Sequence, residues 1–227
     1  MQDFDFVGAF LRLLVFIPAV GLHEYCHAKF ADMAGDMTPR SQGRVTLNPL
    51  AHLDPIGTIM MVLSSASGVG IGWGKPVMVN IGQMRNPRFD HFVSVIMGPI
   101  SNLGQAIFYA IILRTGLVAF SLNSIYEPVA FLQGGGSFLT FWVSSSLIYN
   151  LGMFFFNMIP LGPLDGHWIV GAMMLPPQRN AWYKFCHGPG MYIFLALVLL
   201  PRGIGFNPIG WYMQHTLFPT LKFLLGL

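Results

Sequence analysis

Residues 23 to 27 read His-Glu-Tyr-Cys-His and lie inside an apolar run that spans Phe6–Met33. Positions i and i+4 of a helix share a face, so His23 and His27 can direct both imidazoles at one metal ion. Glu24 is one of only two glutamates in the chain and stands where a general base would act on water. The spacing predicts a hydrolytic zinc site, and two packed core histidines are the alternative.

A zinc hydrolase needs a third protein ligand and an open position for water. Asp165 is the candidate, because an aspartate between apolar segments is costly unless it is paired or bound to a metal. A helix cap before Gly166 is the alternative. Asn157 lies eight residues earlier, and its amide is predicted to donate to the oxygen that gains charge in a tetrahedral intermediate. An asparagine that only bonds a neighbouring helix would look the same. His52 and His167 are expected to be structural, and an approach of His52 to the site is the alternative.

The composition indicates that a membrane positions these residues. Mean hydropathy is +0.59, 54% of residues are apolar and only 9% are charged, against about 25% charged in soluble domains. The net charge of +3 is small and the basic residues fall in short loops. That distribution favours membrane orientation over nucleic-acid binding, so no nucleic-acid partner is expected.

The apolar segments predict an all-α polytopic membrane protein with about five to six transmembrane helices and a re-entrant or β-like segment near the active site. A single domain is expected over residues 1–227, with a catalytic core at about 6–175 and a C-terminal helical hairpin at about 188–225. The predicted segments are firm spans at 6–33, 92–113 and 137–159, a broken segment at 50–71, a half-helix at 164–175, and hairpin helices at 190–200 and 209–225. Residues 77–81 read Val-Met-Val-Asn-Ile and predict a short strand that holds substrate in extended form.

Loop charges predict the orientation of the chain. Three loops carry the basic residues: Arg40 and Arg44; Lys75, Arg85 and Arg88; Arg179 and Lys184. By the positive-inside tendency all three are cytoplasmic, which requires that residues 50–71 enter the membrane and return rather than cross it. The expectation is a multi-pass cell-membrane protein with its N-terminus outside and its active site within the bilayer, nearer the cytoplasmic face.

Two motifs, His-Glu-x-x-His at 23–27 and Asn-x-x-Pro-x-x-Pro-Leu-Asp-Gly at 157–166, together resemble the site-2 protease family of intramembrane zinc metalloproteases. The resemblance is to its compact prokaryotic branch without a PDZ or CBS domain. Linking stretches share the resemblance, which covers residues from about 15 to 175: Gly-Arg-Val-Thr-Leu-Asn-Pro-Leu-Ala-His-Leu-Asp-Pro-Ile-Gly at 43–57, Gly-Trp-Gly-Lys-Pro-Val at 72–77, and Gly-Pro-Ile-Ser-Asn at 98–102. The family implies one zinc ion per chain held by His23, His27 and Asp165, with Glu24 as general base. It also implies cleavage within or beside transmembrane segments, so the partners are membrane-protein substrates and the bilayer.

Two departures and two alternatives accompany this interpretation. Gly166 is followed by His-Trp where the branch often has a small residue and then arginine, and residues 176–227 match no motif. A non-proteolytic metal-binding protein or transporter could use the same helix, although Glu24 argues against it because pure zinc binding needs no general base there. A membrane-anchored protease that cuts soluble peptides is the second alternative.

Overall fold

The computed structural model describes residues 5–65, 70, 72–199 and 207–227. Its regular structure is helical, and no β-strand occurs among those residues, which confirms the all-α prediction. The α-helices are α1 (Phe6–Met33), α2 (Thr38–Ser41), α3 (Pro55–Ser65), α4 (Pro87–Arg114), α5 (Asn123–Tyr126), α6 (Pro128–Gln133), α7 (Phe138–Asn157), α8 (Asp165–Met173), α9 (Pro176–His187), α10 (Pro189–Leu199) and α11 (Pro208–Leu225). Two 3-10 turns lie at Pro49–His52 and Ile81–Gln83.

Within the part of the chain that the structure describes, three helices are long and apolar enough to cross a membrane. They are α1 and α4, with 28 residues each, and α7, with 20. The described part of α3 has 11 residues, about 16 Å of rise, whereas the hydrocarbon core is about 30 Å thick. The chain is a multi-pass helical membrane protein, and the rest of the segment predicted at 50–71 lies partly outside the described residues.

Helix α1 contains a proline that the rest of the bundle accommodates. Pro18 has no N–H to donate to the carbonyl of Leu14, four residues earlier. The indole Nε1 of Trp142, on α7, donates to that carbonyl at 3.4 Å. An unpaired carbonyl at membrane depth is costly, so this contact both satisfies α1 and ties it to α7.

The three long helices pack against one another, and α4 lies against both α1 and α7. Helices α4 and α7 run antiparallel, because Asn102 bonds Asn150 while Tyr109 packs edge-on against Trp142. Their shared apolar core also includes Leu217 and Leu221 of α11. On the other side, Phe16 and Val20 of α1 pack with Met61 of α3.

The strand predicted at 77–81 does not form. Asn80 is extended, with φ −111° and ψ 93°, but its N–H donates to a side chain, the Asp36 carboxylate, at 2.6 Å. Ile81 then begins a 3-10 turn, and the N–H of Arg85 donates to the Ala34 carbonyl at 3.0 Å. The segment is docked on the C-terminal end of α1 by these two bonds instead of by a sheet.

Candidate metal centre

Three side-chain atoms from α1 and α8 converge on one point. Nε2 of His23 lies 3.0 Å from Nε2 of His27, and Oδ2 of Asp165 lies 3.1 Å from the first and 3.3 Å from the second. Four ligands at tetrahedral zinc distances of roughly 2.0–2.1 Å stand about 3.3 Å apart. The triangle therefore has nearly the edge lengths that a zinc ion requires of its protein ligands.

The hydrogen bonds of the two imidazoles place a proton on each Nδ1. Nδ1 of His27 lies 2.8 Å from the carbonyl oxygen of Ser94, and Nδ1 of His23 lies 2.6 Å from Oδ1 of Asn102. Both partners accept, so Nδ1 is the donor in each ring, and the neutral form of that ring presents a lone pair on Nε2. Among the described residues, Oδ2 of Asp165 has no hydrogen-bond partner, and a cation fits between this buried oxygen and the two Nε2 atoms.

Two glycines let the backbone approach this triangle closely. A Cβ placed on Gly98 of α4 would lie 2.3 Å from Nε2 of His27 and 2.9 Å from Nε2 of His23. A Cβ on Gly166 would lie 2.3 Å from the carbonyl oxygen of Ile159. Helix α4 can therefore press against the imidazoles, and α8 can begin directly beside the end of α7.

Glu24 lies on the same helix but outside the triangle. Its side chain is packed against Gly74, where an added Cβ would come within 2.9 Å of the carboxylate Oε1. Gly74 is anchored by a bridge to Leu53, and the next residue, Lys75, donates its N–H to the His52 carbonyl at 2.8 Å. The segment at 72–76 thus forms a wall beside the carboxylate, and the missing side chain at 74 leaves room for it.

Arg44 is a cation next to Glu24. Its side chain is 4% exposed, and Nη2 lies 3.9 Å from Oε2 of Glu24 and donates to the Lys75 carbonyl. Burial lowers the pKa of this guanidinium, and the negative charge of Glu24 opposes that shift. Arg44 is a loop residue in the sequence, and in the structure it lies between Glu24 and the wall segment at 72–76.

The remaining candidates lie apart from the triangle. The amide of Asn157 donates to the Met153 carbonyl of its own helix at 3.0 Å. His52 is fully buried, its Nε2 lies 2.8 Å from the Thr46 carbonyl oxygen, and burial lowers its pKa. His167 is buried under α9, and Trp182 donates to its carbonyl at 2.8 Å. These contacts agree with structural roles for both histidines and do not bring Asn157 to the metal ligands.

Asn102 is the site residue that sequence reasoning missed. Its stretch at 98–102 carries the family resemblance, but the sequence gives no role for Asn102 within it. The close approach of Gly98 is present, whereas Asn102 is a direct hydrogen-bond partner of His23. An isolated asparagine in an apolar helix carries no spacing that reveals its partner, so only the packed bundle identifies it.

A membrane bundle with two histidines, a carboxylate and a neighbouring glutamate on one face is the architecture of a membrane metallohydrolase. The chain is 35% identical to a protein of Bacillus subtilis named "Putative zinc metalloprotease YwhC", over 84% of this chain and 81% of that protein. Proteins named "Putative zinc metalloprotease Rip2" are 28% identical in Mycolicibacterium smegmatis and 25% identical in Mycobacterium tuberculosis, over 80% of this chain and 64% of theirs. No family model matches the chain, and no solved structure matches it.

The chain belongs to the site-2 protease family. The names of its relatives support a zinc metalloprotease function. They agree with the chemistry of the His23, His27 and Asp165 group, which could hold a metal ion.

Proposed function

We propose that this protein is an intramembrane zinc metalloprotease that hydrolyses peptide bonds within or next to transmembrane segments of other proteins. The observation that carries the proposal is the convergence of three potential ligand atoms, two from the membrane-spanning helix α1 and one from α8, beside a glutamate. The histidines lie in the second half of α1, so the chemistry takes place at membrane depth.

The ligand set consists of His23, His27 and Asp165, for one zinc ion per chain. Zinc supplies a Lewis acid that polarises the scissile carbonyl and makes water a nucleophile at neutral pH. Glu24 is the general base: its carboxylate accepts the proton of the attacking water and later delivers it to the leaving amine. The wall beside Glu24 limits the directions from which water and substrate reach that carboxylate.

Asn157 is proposed to donate its amide to the oxygen that gains charge during attack. The amide now donates to Met153 of its own helix. The last turn of α7 would have to release that bond when substrate binds, and substrate-dependent tightening of catalytic contacts is common. Asn157 therefore remains a prediction that depends on a bound state.

The proposed orientation places the N-terminus outside and the metal site nearer the cytoplasm. Two contacts support one part of it, a common side for the basic loops. The segment that ends at Arg85 is docked on Ala34, so residues 34–41 and 80–86 lie at one end of α1. At the start of α4, Arg88 donates to the carbonyls of Ala172 and Met173, so α8 ends at the same level.

Single cysteines at Ser41, Asn86 and Gln178 are expected to report one common side, the cytoplasm. All three positions are exposed, so a membrane-impermeant thiol reagent reaches them. The native Cys26 and Cys186 are first replaced, since both are free thiols. Labelling of Asn86 from the side opposite to Ser41 would show that residues 50–71 cross the bilayer and would overturn the orientation.

The proposed substrate class is tested by reconstitution into liposomes with a panel of single-span proteins. Cleavage within or beside the span is expected, with loss on zinc chelation and recovery on adding zinc. Each span is matched by the same sequence as a soluble peptide. Cleavage of the peptides alone would indicate a surface protease, and no cleavage by fully zinc-loaded protein would favour the non-proteolytic alternative.

A further inference from the structure

A series of buried polar groups holds His23 from the side away from the triangle. Nδ1 of His23 lies 2.6 Å from Oδ1 of Asn102 on α4, and Nδ2 of Asn102 donates to Oδ1 of Asn150 on α7 at 2.8 Å. Nδ2 of Asn150 donates in turn to the Ser146 carbonyl at 2.9 Å. Asn102 is 0% exposed and Asn150 is 1% exposed, so these bonds lie in an interior where each one has a strong orienting effect.

The direction of every bond in this series follows from its last member. A backbone carbonyl only accepts, so Ser146 fixes which end of the Asn150 amide faces it. The oxygen of Asn150 must then face Asn102, and the oxygen of Asn102 must face His23. Reversing either amide would set two donors or two acceptors against each other. Asn102 Nδ2 also lies 3.3 Å from the Ala19 carbonyl, one turn before His23, which strengthens the same orientation.

We propose that Asn150 and Asn102 form a positioning relay that sets zinc affinity by fixing the tautomer of His23. This inference rests on the proposed metal site. Neither asparagine is a ligand, and both act through His23, whose Nε2 is free to bind only while Nδ1 carries the proton. The relay connects α7, α4 and α1, so the packing of α7 against α4 affects the tautomer of His23, a ligand on α1.

The amide chemistry of Asn102 gives this proposal a specific consequence. Asn102 presents an oxygen to His23 in only one of its two orientations, and Asn150 selects that orientation. A carboxylate presents an oxygen in both orientations. In an Asn102→Asp background, Asn150 is therefore expected to become dispensable for zinc binding, although its place in the packing of α7 is unchanged.

The experiment measures the zinc Kd of the full-length protein in detergent, by competition with a chelator of known affinity. Asn150→Leu is expected to raise Kd about 10–100-fold, the usual cost of removing an outer partner of a metal ligand. The same substitution added to Asn102→Asp is expected to leave the Kd of that variant nearly unchanged. Asn150→Ala replaces Asn150→Leu if the leucine variant does not fold, as judged by thermal unfolding without zinc.

Gln105→Leu is the matched control. Gln105 lies on α4 within one turn of Asn102, and its buried Nε2 has no hydrogen-bond partner among the residues that the structure describes, so its loss is expected to leave Kd unchanged. A wild-type Kd in Asn150→Leu overturns the relay, and so does an equal rise in both backgrounds, which would indicate a purely structural role. Wild-type protein that binds no zinc overturns the proposed metal site together with the relay.

Discussion

Replacement of Glu24 by glutamine is expected to abolish peptide-bond cleavage and to leave bound zinc unchanged. The amide has the shape of the carboxylate but cannot accept a proton, and loss of a general base costs about 10²–10⁴-fold in rate. Glu24 is not part of the ligand triangle, so the geometry around the metal is kept. The measurement pairs turnover of a single-span substrate with zinc content by elemental analysis on the same preparation.

Variants of the ligands supply the contrast. His23→Ala and Asp165→Ala are expected to lose both zinc and cleavage, because each removes one of three ligands. Glu24→Gln that cleaves at the wild-type rate would show that another group moves the proton. Full zinc content in Asp165→Ala would remove that residue from the ligand set while leaving the role of Glu24 intact.

Alanine at Gly98 is expected to raise the zinc Kd by at least about 100-fold, beyond the usual effect of an outer-shell change. The new methyl carbon would lie 2.3 Å from Nε2 of His27, which is too close for a non-bonded contact between carbon and nitrogen. Nδ1 of His27 is hydrogen-bonded to the carbonyl of Ser94, which lies on α4 as Gly98 does. The ring therefore cannot turn away from the new methyl group without losing that bond. The measurement is a zinc competition titration.

Gly104→Ala is the matched control for this substitution. It makes the same chemical change six residues along α4, where an added Cβ meets no atom of another described part of the chain within 4 Å. Zinc affinity is expected to match wild type, and stability to rise slightly, since alanine favours helix over glycine. Wild-type affinity in Gly98→Ala would mean that α4 does not press on the imidazoles.

Long helices were the part of the fold that could be predicted from the sequence. The first predicted span matches α1 at both ends, and those predicted at 92–113 and 137–159 overlap α4 and α7 to within a few residues. Apolar runs of this length have one stable solution in a bilayer, because each backbone group must be bonded within its own segment. Helix α4 begins five residues earlier than predicted, since polar residues from Pro87 onward also fit a helical turn outside the hydrocarbon.

The conformations of the short segments are harder to predict from the sequence, because tertiary contacts determine them. The strand predicted at 77–81 rested on local β-propensity alone, which depends strongly on context. Asp36 captures the N–H of Asn80, so the ladder bond that a strand needs is used elsewhere. No periodic pattern in the sequence predicts this hydrogen bond, because Asp36 and Asn80 are far apart in the chain.

The residues of the candidate site also fall into two groups, those that the local sequence predicts and those that only tertiary packing identifies. The fixed spacing on one helix predicts His23, Glu24 and His27 as site residues. Asp165 is predicted because it is an isolated aspartate among apolar residues. Asn102 and Arg44 give no such signal, because an asparagine in a span and an arginine in a loop are common features. Their roles come from the packing of α4 on α1 and of residues 72–76 on Glu24, and neither packing arrangement is encoded in local sequence.

The distribution of the three ligands along the chain has a consequence for biogenesis. The ribosome completes α1 first, and Asp165 of α8 emerges only after α4 and α7 have been made. Until then a nascent chain carries a half-site of two imidazoles, which does not retain zinc as firmly as three ligands do. We expect firm metal loading to follow the insertion of α8, so that the translation order itself delays proteolytic competence until α1, α4 and α7 are in place.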